Sequence, residues 1–394
     1  MTSLIGSTRP YDPLSVSPLS FWAQTADERE ETFRVLRRER PLSWHPPIAG
    51  SVMPPENEGV WVVTSHELVS YVSRNPQLFC SGEGFQMEEL PPDIIEAVAS
   101  FLAMDAPRHP KLRRLVSSAF TSRQIAKIHE QIRAHAALIV DELLEAGEGD
   151  FVQLVSKKLP MWTICEMLGL EDPVKREEAA HYADRIVSWN DEDVAAGQEP
   201  GEILSESLVG LLQIAYEYIE ERRANPKSDL MTNLVNAEVD GERLTDDEIV
   251  SFFCLLTIAG NDTTRNSISH TAMALQRFPE QRQLLLQDYD ARIGTAIEEF
   301  VRWSSPVMTM RRTATQDTEL AGQRINKGEW VALIYSSSNR DEKVFDRPYE
   351  FDITRDPNPH QGFGGGGPHF CMGNFVARMQ LREIFHSSSR GCRV

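Results

Sequence analysis

The chain has 394 residues, with 40 Lys and Arg against 59 Asp and Glu, a formal net charge of −19. Hydrophobic residues at 41% supply a large core and exclude bulk disorder, while the acidic balance argues against a nucleic-acid backbone as partner. No apolar run approaches the ~20 residues of a membrane span, and residues 1–13 lack the basic flank and apolar core of a signal peptide, so a cytoplasmic protein without stable membrane insertion is expected.

Residues 28–40 read as an amphipathic helix closed by Pro41, and residues 60–64 as a short β-branched strand bounded by Gly59. A helix beginning near His66 ends around Asn75-Pro76. Residues 122–146 have helical periodicity and stop at Gly147; residues 202–223 form another helix, halted before Pro226. The acidic stretch 190–202, with Gly197, Pro200 and Gly201, reads as a loop between helices. Residues 319–320 and 330–335 read as strands of a hairpin flanking the turn Asn326-Lys327-Gly328. Strands and helices do not alternate, and no repeat or linker divides the chain, so one mainly α domain is expected over residues 1–394. The five cysteines, Cys80, Cys165, Cys254, Cys371 and Cys392, are odd in number and widely spaced without a CxxC. Neither a disulfide framework nor a zinc cluster is expected.

One segment departs from helix rules while keeping a helical period. Thr245 to Glu248 fits a capping box, and the pattern then runs to Phe278 before Pro279, about 33 residues or ~50 Å. Its first half has no wide polar face, so it should be buried. Its middle reads Ala259-Gly260-Asn261-Asp262-Thr263-Thr264, where Gly and Thr are poor helix formers and a buried acid needs a partner. One reading is a bend packed against a neighbour. The other is that Gly260 admits something bulky beside the backbone and that Asp262 and Thr263 handle protons there.

The second constellation is the glycine run from Gly362 to Gly373, with Phe363, His369 and Cys371 inside it and a helix following from Asn374. Gly362, Gly364 and Gly367 formally match GxGxxG, but Pro-rich coil precedes the run instead of a strand, so a dinucleotide site is disfavoured. Backbone N–H groups and the N-terminus of the next helix would favour a Cys371 thiolate. With no further Cys or His at ligand spacing, a metal held by Cys371 must bring its own remaining ligands, as haem does. The bland alternative is a buried cysteine in a tight turn.

These residues resemble the cytochrome P-450 family. The Cys371 loop is similar to its haem-ligand motif, and Ala259-Gly260 followed by Asp262-Thr263 to its oxygen-activating motif. Glu299 to Arg302 resembles its Glu-x-x-Arg, implying a buried network of Glu299, Arg302 and Arg355. His109 to Arg113 resembles its propionate-binding His-x-x-x-Arg, and Arg312 a further propionate arginine. Phe363 lies eight residues before Cys371, one more than is usual. That longer loop, with the residues after Thr263 and the Asp356 to His360 segment, is similar to the bacterial subgroup acting on methyl-branched lipids and sterol side chains. Residues 386–394 read as a polar tail, and the family's closing hairpin is expected to be truncated or altered after about residue 386.

The resemblance implies a P-450 fold with a long central helix, small β-sheets and a Cys-ligand loop. It implies a haem-thiolate monooxygenase using haem b (heme, iron protoporphyrin IX) and O2, with Cys371 on the metal and His109, Arg113, Ala259, Gly260, Arg312, Phe363, His369 and Gly373 around the cofactor. Asp262 and Thr263 would relay protons. Electrons would come from NAD(P)H through a ferredoxin and ferredoxin reductase, since 394 residues leave no room for a flavin domain. The ferredoxin would dock near Lys111, Arg114 and Arg378. The apolar substrate would touch Leu255, Val307, Met308 and Met310, the segments 82–100 and near Asn190, with residues 190–202 as a lid. A monomer is expected. The competing reading is a haem-binding protein without turnover.

Overall fold

A computed structural model describes residues 9–48, 57–88, 91–189, 191–195 and 197–391, and it is mainly helical. Local capping chemistry decides where the helices begin. Helix α1 (Ala26–Glu39) starts ahead of the sequence reading because Thr25 and Glu28 form a capping box: Glu28 N donates to Thr25 Oγ1 at 3.3 Å and Thr25 N to Glu28 Oε2 at 2.8 Å. Helix α2 (His66–Arg74) and helix α3 (Arg108–Ala119) follow. Helix α4 (Ser122–Ala146) lies between a second capping box, Thr121 with Gln124, and Gly147. Helices α5 (Lys158–Leu168) and α6 (Pro173–Val187) lead to α7 (Pro200–Ala224), which takes in residues 200 and 201 that the sequence assigned to a loop. Pro200 sits in its first turn, where a missing N–H costs nothing. A short helix, Glu192–Ala195, occupies part of the preceding acidic stretch; Asn190 lies outside the described residues.

Helix α8 (Asp246–Arg277) is the long central element, with Thr245 and Glu248 capping each other at 3.0 and 3.2 Å. Its two halves serve different cores. Ile249, Val250, Phe252, Phe253 and Cys254 pack with Leu112, Val116, Ile164, Leu168, Leu211 and Ile214. Ile268, Ala274 and Leu275 pack instead with Phe300 and Val301 of α9 (Tyr289–Ser304) and Leu381 and Ile384 of α10 (Asn374–Gly391). Residues 259–264 lie between the two cores, which is where the helix can face a cavity without losing its support on either side.

The strands of the main sheet and of one two-stranded hairpin are β1 (Leu42–His45), β2 (Val60–Val63), β3 (Phe79–Cys80), β4 (Thr309–Ala314), β5 (Thr318–Leu320), β6 (Gln323–Ile325) and β7 (Trp330–Ile334). A five-stranded sheet has the order β1-β2-β7-β4-β3. Its β2–β7 pair is parallel, with Val60 opposite Trp330, and the other pairs are antiparallel. The expected hairpin is corrected here. β5 pairs with β6 across Ala321-Gly322, both at positive φ (48° and 76°), which suits the twist of a two-residue turn. The Asn326-Lys327-Gly328 turn instead hands the chain on to β7, which pairs with β2 and β4.

The polar tail read from residue 386 continues as helix to Gly391; Cys392 lies outside the described residues. Among the described residues no helix is long and apolar enough to cross a membrane.

Between the sheet and the cysteine loop sits a buried charge network. Glu299 and Arg302 of α9 are 0% exposed. Arg302 Nε and Nη2 donate to the two Glu299 carboxylate oxygens at 2.7 Å each, and Arg355 Nε reaches the same carboxylate at 3.2 Å. Asn358 Nδ2 at 3.1 Å and Asp352 N at 2.9 Å complete the acceptor's partners. The spare Arg302 donors bond the carbonyls of Asn339 and Pro348 at 2.9 Å, so neither the guanidinium nor the Glu299 carboxylate is left bare. The network ties α9 to residues 350–358, the coil that leads into the cysteine loop.

Candidate active site

A cavity of about 1510 Å³, counting its opening to solvent, lies between the middle of α8 and the loop that carries Cys371. Leu255, Ala259, Gly260 and Thr263 face it from α8, and Phe363, His369, Cys371 and Gly373 from the loop.

Cys371 is held by its backbone. Its N–H donates to the Phe363 carbonyl at 3.0 Å, and Asn374 Nδ2 bonds the Cys371 carbonyl at 2.7 Å. Burial pushes the thiol up; the N–H groups of Gly373 and Asn374 and the charges of Arg113 and Arg378 pull the other way without overcoming it. The N–H groups at the start of α10 thus act in the expected direction, toward the thiolate, against burial. A coordinated metal ion deprotonates a thiol outright.

The glycines carry the loop under the end of α2. Gly367 has φ +77°, and a Cβ there would overlap the carbonyl of Ser73. Gly367→Ala is expected to destabilise the fold by roughly 1–3 kcal/mol through this strain and to lower haem occupancy. Thermal melting with haem absorbance per protein checks this; unchanged occupancy and melting temperature would count against it.

One edge of the cavity gathers donors without partners. The His109 and His369 rings are 4.3 Å apart, and His109 Nε2 and His369 Nδ1 are buried with no hydrogen-bond partner. Burial, then the nearby Arg312, His109 and Arg113, lowers the His369 pKa to about 3; burial and Arg113 lower that of His109. Arg113 and Arg312 also line the cavity. Arg113 Nη2 is 2.5 Å from the Phe370 carbonyl, and Arg312 Nη1 is 2.7 Å from that of Arg311. Two arginines beside two orphaned imidazole nitrogens form an edge suited to carboxylates. With one cysteine opposite a wide apolar wall, this donor set fits a flat metal macrocycle bearing acidic groups.

On the far side, Thr263 Oγ1 donates to the Ala259 carbonyl at 2.9 Å and lines the cavity. A Cβ on Gly260 would sit 2.6 Å from Ile164 Cδ1, so this glycine also admits α5 against α8. Asp262 is not among the lining residues. It is ion-paired with Arg265 and accepts from Asn266 Nδ2 at 3.0 Å. Arg265 Nη1 in turn bonds Asp184 of α6 at 2.9 Å. The acid the sequence placed in the relay is engaged on the side of α8 that faces α6, one residue before the cavity-lining Thr263.

Leu255, Val307 and Met310 line the cavity as expected, but Met308 does not. It is 38% exposed, with its sulfur 3.9 Å from Arg29 Nη2. The bend at Pro306-Val307 precedes β4, so the two-residue alternation of the strand does not carry back to Met308. Sequence reasoning missed Ile164 and Met167 of α5 and Gln380 of α10. The spacing Gly373, Val376, Ala377, Gln380, Leu381 would have marked one face of that last helix. The basic residues of the expected docking patch carry acidic neighbours. Lys111 pairs with Glu242, Arg114 with Asp240 at 2.8 Å, and Arg378 Nε with Glu298 at 2.7 Å. Burial would raise the Glu298 pKa, but bonds from Arg378 and His360 outweigh it and draw it down to about 2.

Comparison with known proteins places this geometry. Residues 198–388 match the cytochrome P-450 family model. The methyl-branched lipid omega-hydroxylase of Mycobacterium tuberculosis is 40% identical over 386 residues, 97% of this chain and 89% of that protein. The steroid C26-monooxygenase of Mycolicibacterium smegmatis is 38% identical over 365 residues, 91% of this chain and 82% of that protein. A solved Mycobacterium marinum cytochrome P-450 in complex with pseudoionone is 50% identical with a TM-score of 0.93, covering 97% of this chain and 93% of that one. The chain belongs to the cytochrome P-450 family. It is a monooxygenase, an oxidoreductase of a family that works with haem and O2 and takes electrons from redox partners.

Proposed function

We propose that this monooxygenase hydroxylates a methyl-branched lipid, an isoprenoid or a sterol side chain near the chain end. The observation that carries the reading is the lining of the cavity. Arg113, Arg312, His369 and Cys371 are grouped with the donor edge and the loop, while Phe101, Phe252, Leu255, Leu256, Val307 and Met310 make much of the remaining wall apolar. Burying roughly 330 Å² of apolar surface at ~25 cal/mol per Å² gives about 8 kcal/mol, a micromolar affinity before ordering costs. Such a guest needs few polar contacts. The names of the relatives support the same class.

Cys371 would hold the haem iron, with His109, Arg113, Arg312 and His369 on its carboxylates, Phe363 and Gly373 beside the loop, and Ala259 and Gly260 opposite. When bound, haem supplies the redox chemistry that activates O2. The apolar wall orients the substrate and excludes water. Thr263 Oγ1 holds a proton at the cavity face of α8, where a hydroxyl can turn from the Ala259 carbonyl toward a guest. We further infer one domain over residues 1–394, a monomer in the cytoplasm, and electrons from NAD(P)H through a ferredoxin and its reductase. The ferredoxin must compete with Glu242, Asp240 and Glu298 for Lys111, Arg114 and Arg378.

The test is a panel of spin-state binding shifts. Micromolar responses are expected from a methyl-branched fatty acid, a linear terpenoid or a sterol, and little from small polar aromatics. Responses only to hydrophilic compounds would overturn the reading. Thr263→Ala is expected to keep haem and substrate binding while diverting most reducing equivalents to hydrogen peroxide, a loss of about 10²-fold in coupled product within the range for general acid catalysis. Peroxide per NAD(P)H consumed measures it, and unchanged coupling would remove Thr263 from proton handling.

A further inference from the structure

The cavity-facing side of α8 runs out into solvent at one end. Leu256 and Thr263, seven residues apart, both line the cavity. His270 is seven residues further on, so it shares their face about two turns, or ~10 Å, beyond Thr263. Unlike them it is exposed, as is Met273, at 66%. The opposite wall does the same: Val307 lines the cavity, and Met308 beside it is 38% exposed. Positive groups surround this end. Arg29 of α1, half-buried, turns Nη2 to the Met308 sulfur at 3.9 Å, and a thioether is a weak acceptor. Its Nη1 is tied to the Trp22 carbonyl at 2.6 Å and to that of Gln24, which fixes the guanidinium. Arg340, also half-buried, bonds the Trp303 carbonyl at 3.1 Å and lies 5.2 Å from that ring. Desolvation, then the charges of Arg340 and Arg29, lowers the His270 pKa, so the three groups lie within electrostatic reach of one another. The nearby acids of α1 are engaged: Asp27 by Arg277, and Glu30, whose charge also reaches Arg340, by Arg37. Among the described residues Arg29 and Arg340 form no ion pair.

Resting on the proposed monooxygenase reading, we propose that Arg29 and His270, with Arg340 behind them, form a head-group site for the carboxylate of a lipid acid. The substrate is then a branched-chain fatty acid rather than a neutral sterol or terpenoid. A fatty-acid carboxyl, with a pKa near that of a glutamate side chain, is ionised at neutral pH. Seated here, it gives Arg29 a charge-assisted bond in place of a thioether contact, and such bonds are roughly twice as strong as neutral ones. His270 adds a ring N–H from the cavity-facing side of α8. In a chain with a net charge of −19, an unpaired pair of arginines beside an apolar opening selects an anion with a hydrocarbon tail. The tail would run from Met308 past Val307 toward Thr263, so the end remote from the carboxylate reaches the reacting side. Entry in the opposite sense is disfavoured, because an apolar wall strips water from a carboxylate without offering it a partner. Arg29 and His270 hold the substrate and take no part in moving protons or electrons.

The experiment titrates the haem-loaded full chain, followed by spin state, with a methyl-branched fatty acid and with its methyl ester. The ester keeps the chain and removes the charge. The native protein is expected to bind the acid about tenfold more tightly, a difference of about 1.4 kcal/mol. Arg29→Gln should erase that ratio by weakening the acid while the ester stays where it was. His270→Glu, at an exposed position, should reverse the ratio, again with the ester unmoved. If Arg29→Gln does not load haem, His270→Glu decides alone. Equal affinity for acid and ester in the native protein, or an acid preference that survives the substitutions that load, would overturn the head-group site and leave the apolar-cavity reading standing. Tighter binding of a sterol than of the acid would do the same. A native chain that answers to no lipid at all would sink both.

Discussion

Replacing Cys371 with Ser is expected to abolish the thiolate signature of the reduced carbon-monoxide complex and the monooxygenase activity together. Outer partners of a metal ligand typically cost 10–100-fold when removed, so losing the ligand itself should cost more than ~100-fold in activity. The argument is geometric before it is chemical. Cys371 is the cysteine that lines the cavity, opposite Thr263 and beside the Arg113 and Arg312 edge. Cys165 and Cys254 are buried in the core around α5 and α8, their thiols pushed up to about 12 by burial, and Cys80 lies in β3. Alanine at any of those three should leave the haem spectrum unchanged. A serine variant that keeps the thiolate band, or an alanine variant elsewhere that loses it, would show the ligand to be another residue.

Glu299→Ala is expected to yield little folded protein. The substitution leaves Arg302, 0% exposed, without its carboxylate and strips an acceptor from Arg355, Asn358 and the Asp352 N–H. Removing one member of a buried pair costs about 3–5 kcal/mol, a large fraction of a total stability of roughly 5–15 kcal/mol. Because residues 350–358 lead into the loop of Cys371, haem loading should fall with stability. Glu299→Gln separates charge from shape: it keeps the amide oxygen but loses one charge, and should rank between alanine and the native protein. Soluble yield, melting temperature and haem absorbance per protein give the ranking. An alanine variant melting within a few degrees of the native chain would contradict the network's structural weight.

The two constellations that placed the site were legible because each breaks a local rule within a strongly patterned element. Thr245, Glu248 and Pro279 bracketed α8 to within a residue at either end, and Gly260 to Thr264 marked where its packing changes from one core to the other. Long-range pairing was not legible. Nothing in residues 60–63 announces a parallel partner at residues 330–333, and two short strands near an Asn-Lys-Gly turn suggested a hairpin that the tighter Ala321-Gly322 turn forms instead. Facing was only half legible. A motif names Asp262 but not the direction of its carboxylate, which Arg265, three residues on, decides. Gln380 was marked only by its helical spacing from Gly373 and Ala377; that this face meets the cavity depends on α8 lying across from it.

The parallel pairing of β2 with β7 sets a timetable for synthesis. Val60 leaves the ribosome long before its partner Trp330. At roughly 5–20 residues per second the intervening stretch takes on the order of 15–55 s to make. Until then β1 and β2 offer the nascent chain an apolar ribbon, Leu-Ser-Trp-His against Val-Trp-Val-Val, with one edge unsatisfied. The helical cores can assemble meanwhile from segments already made, but the sheet that supports the amino-terminal strands closes only once residues 330–333 have emerged. Co-translational chaperones should therefore engage this chain early and release it late.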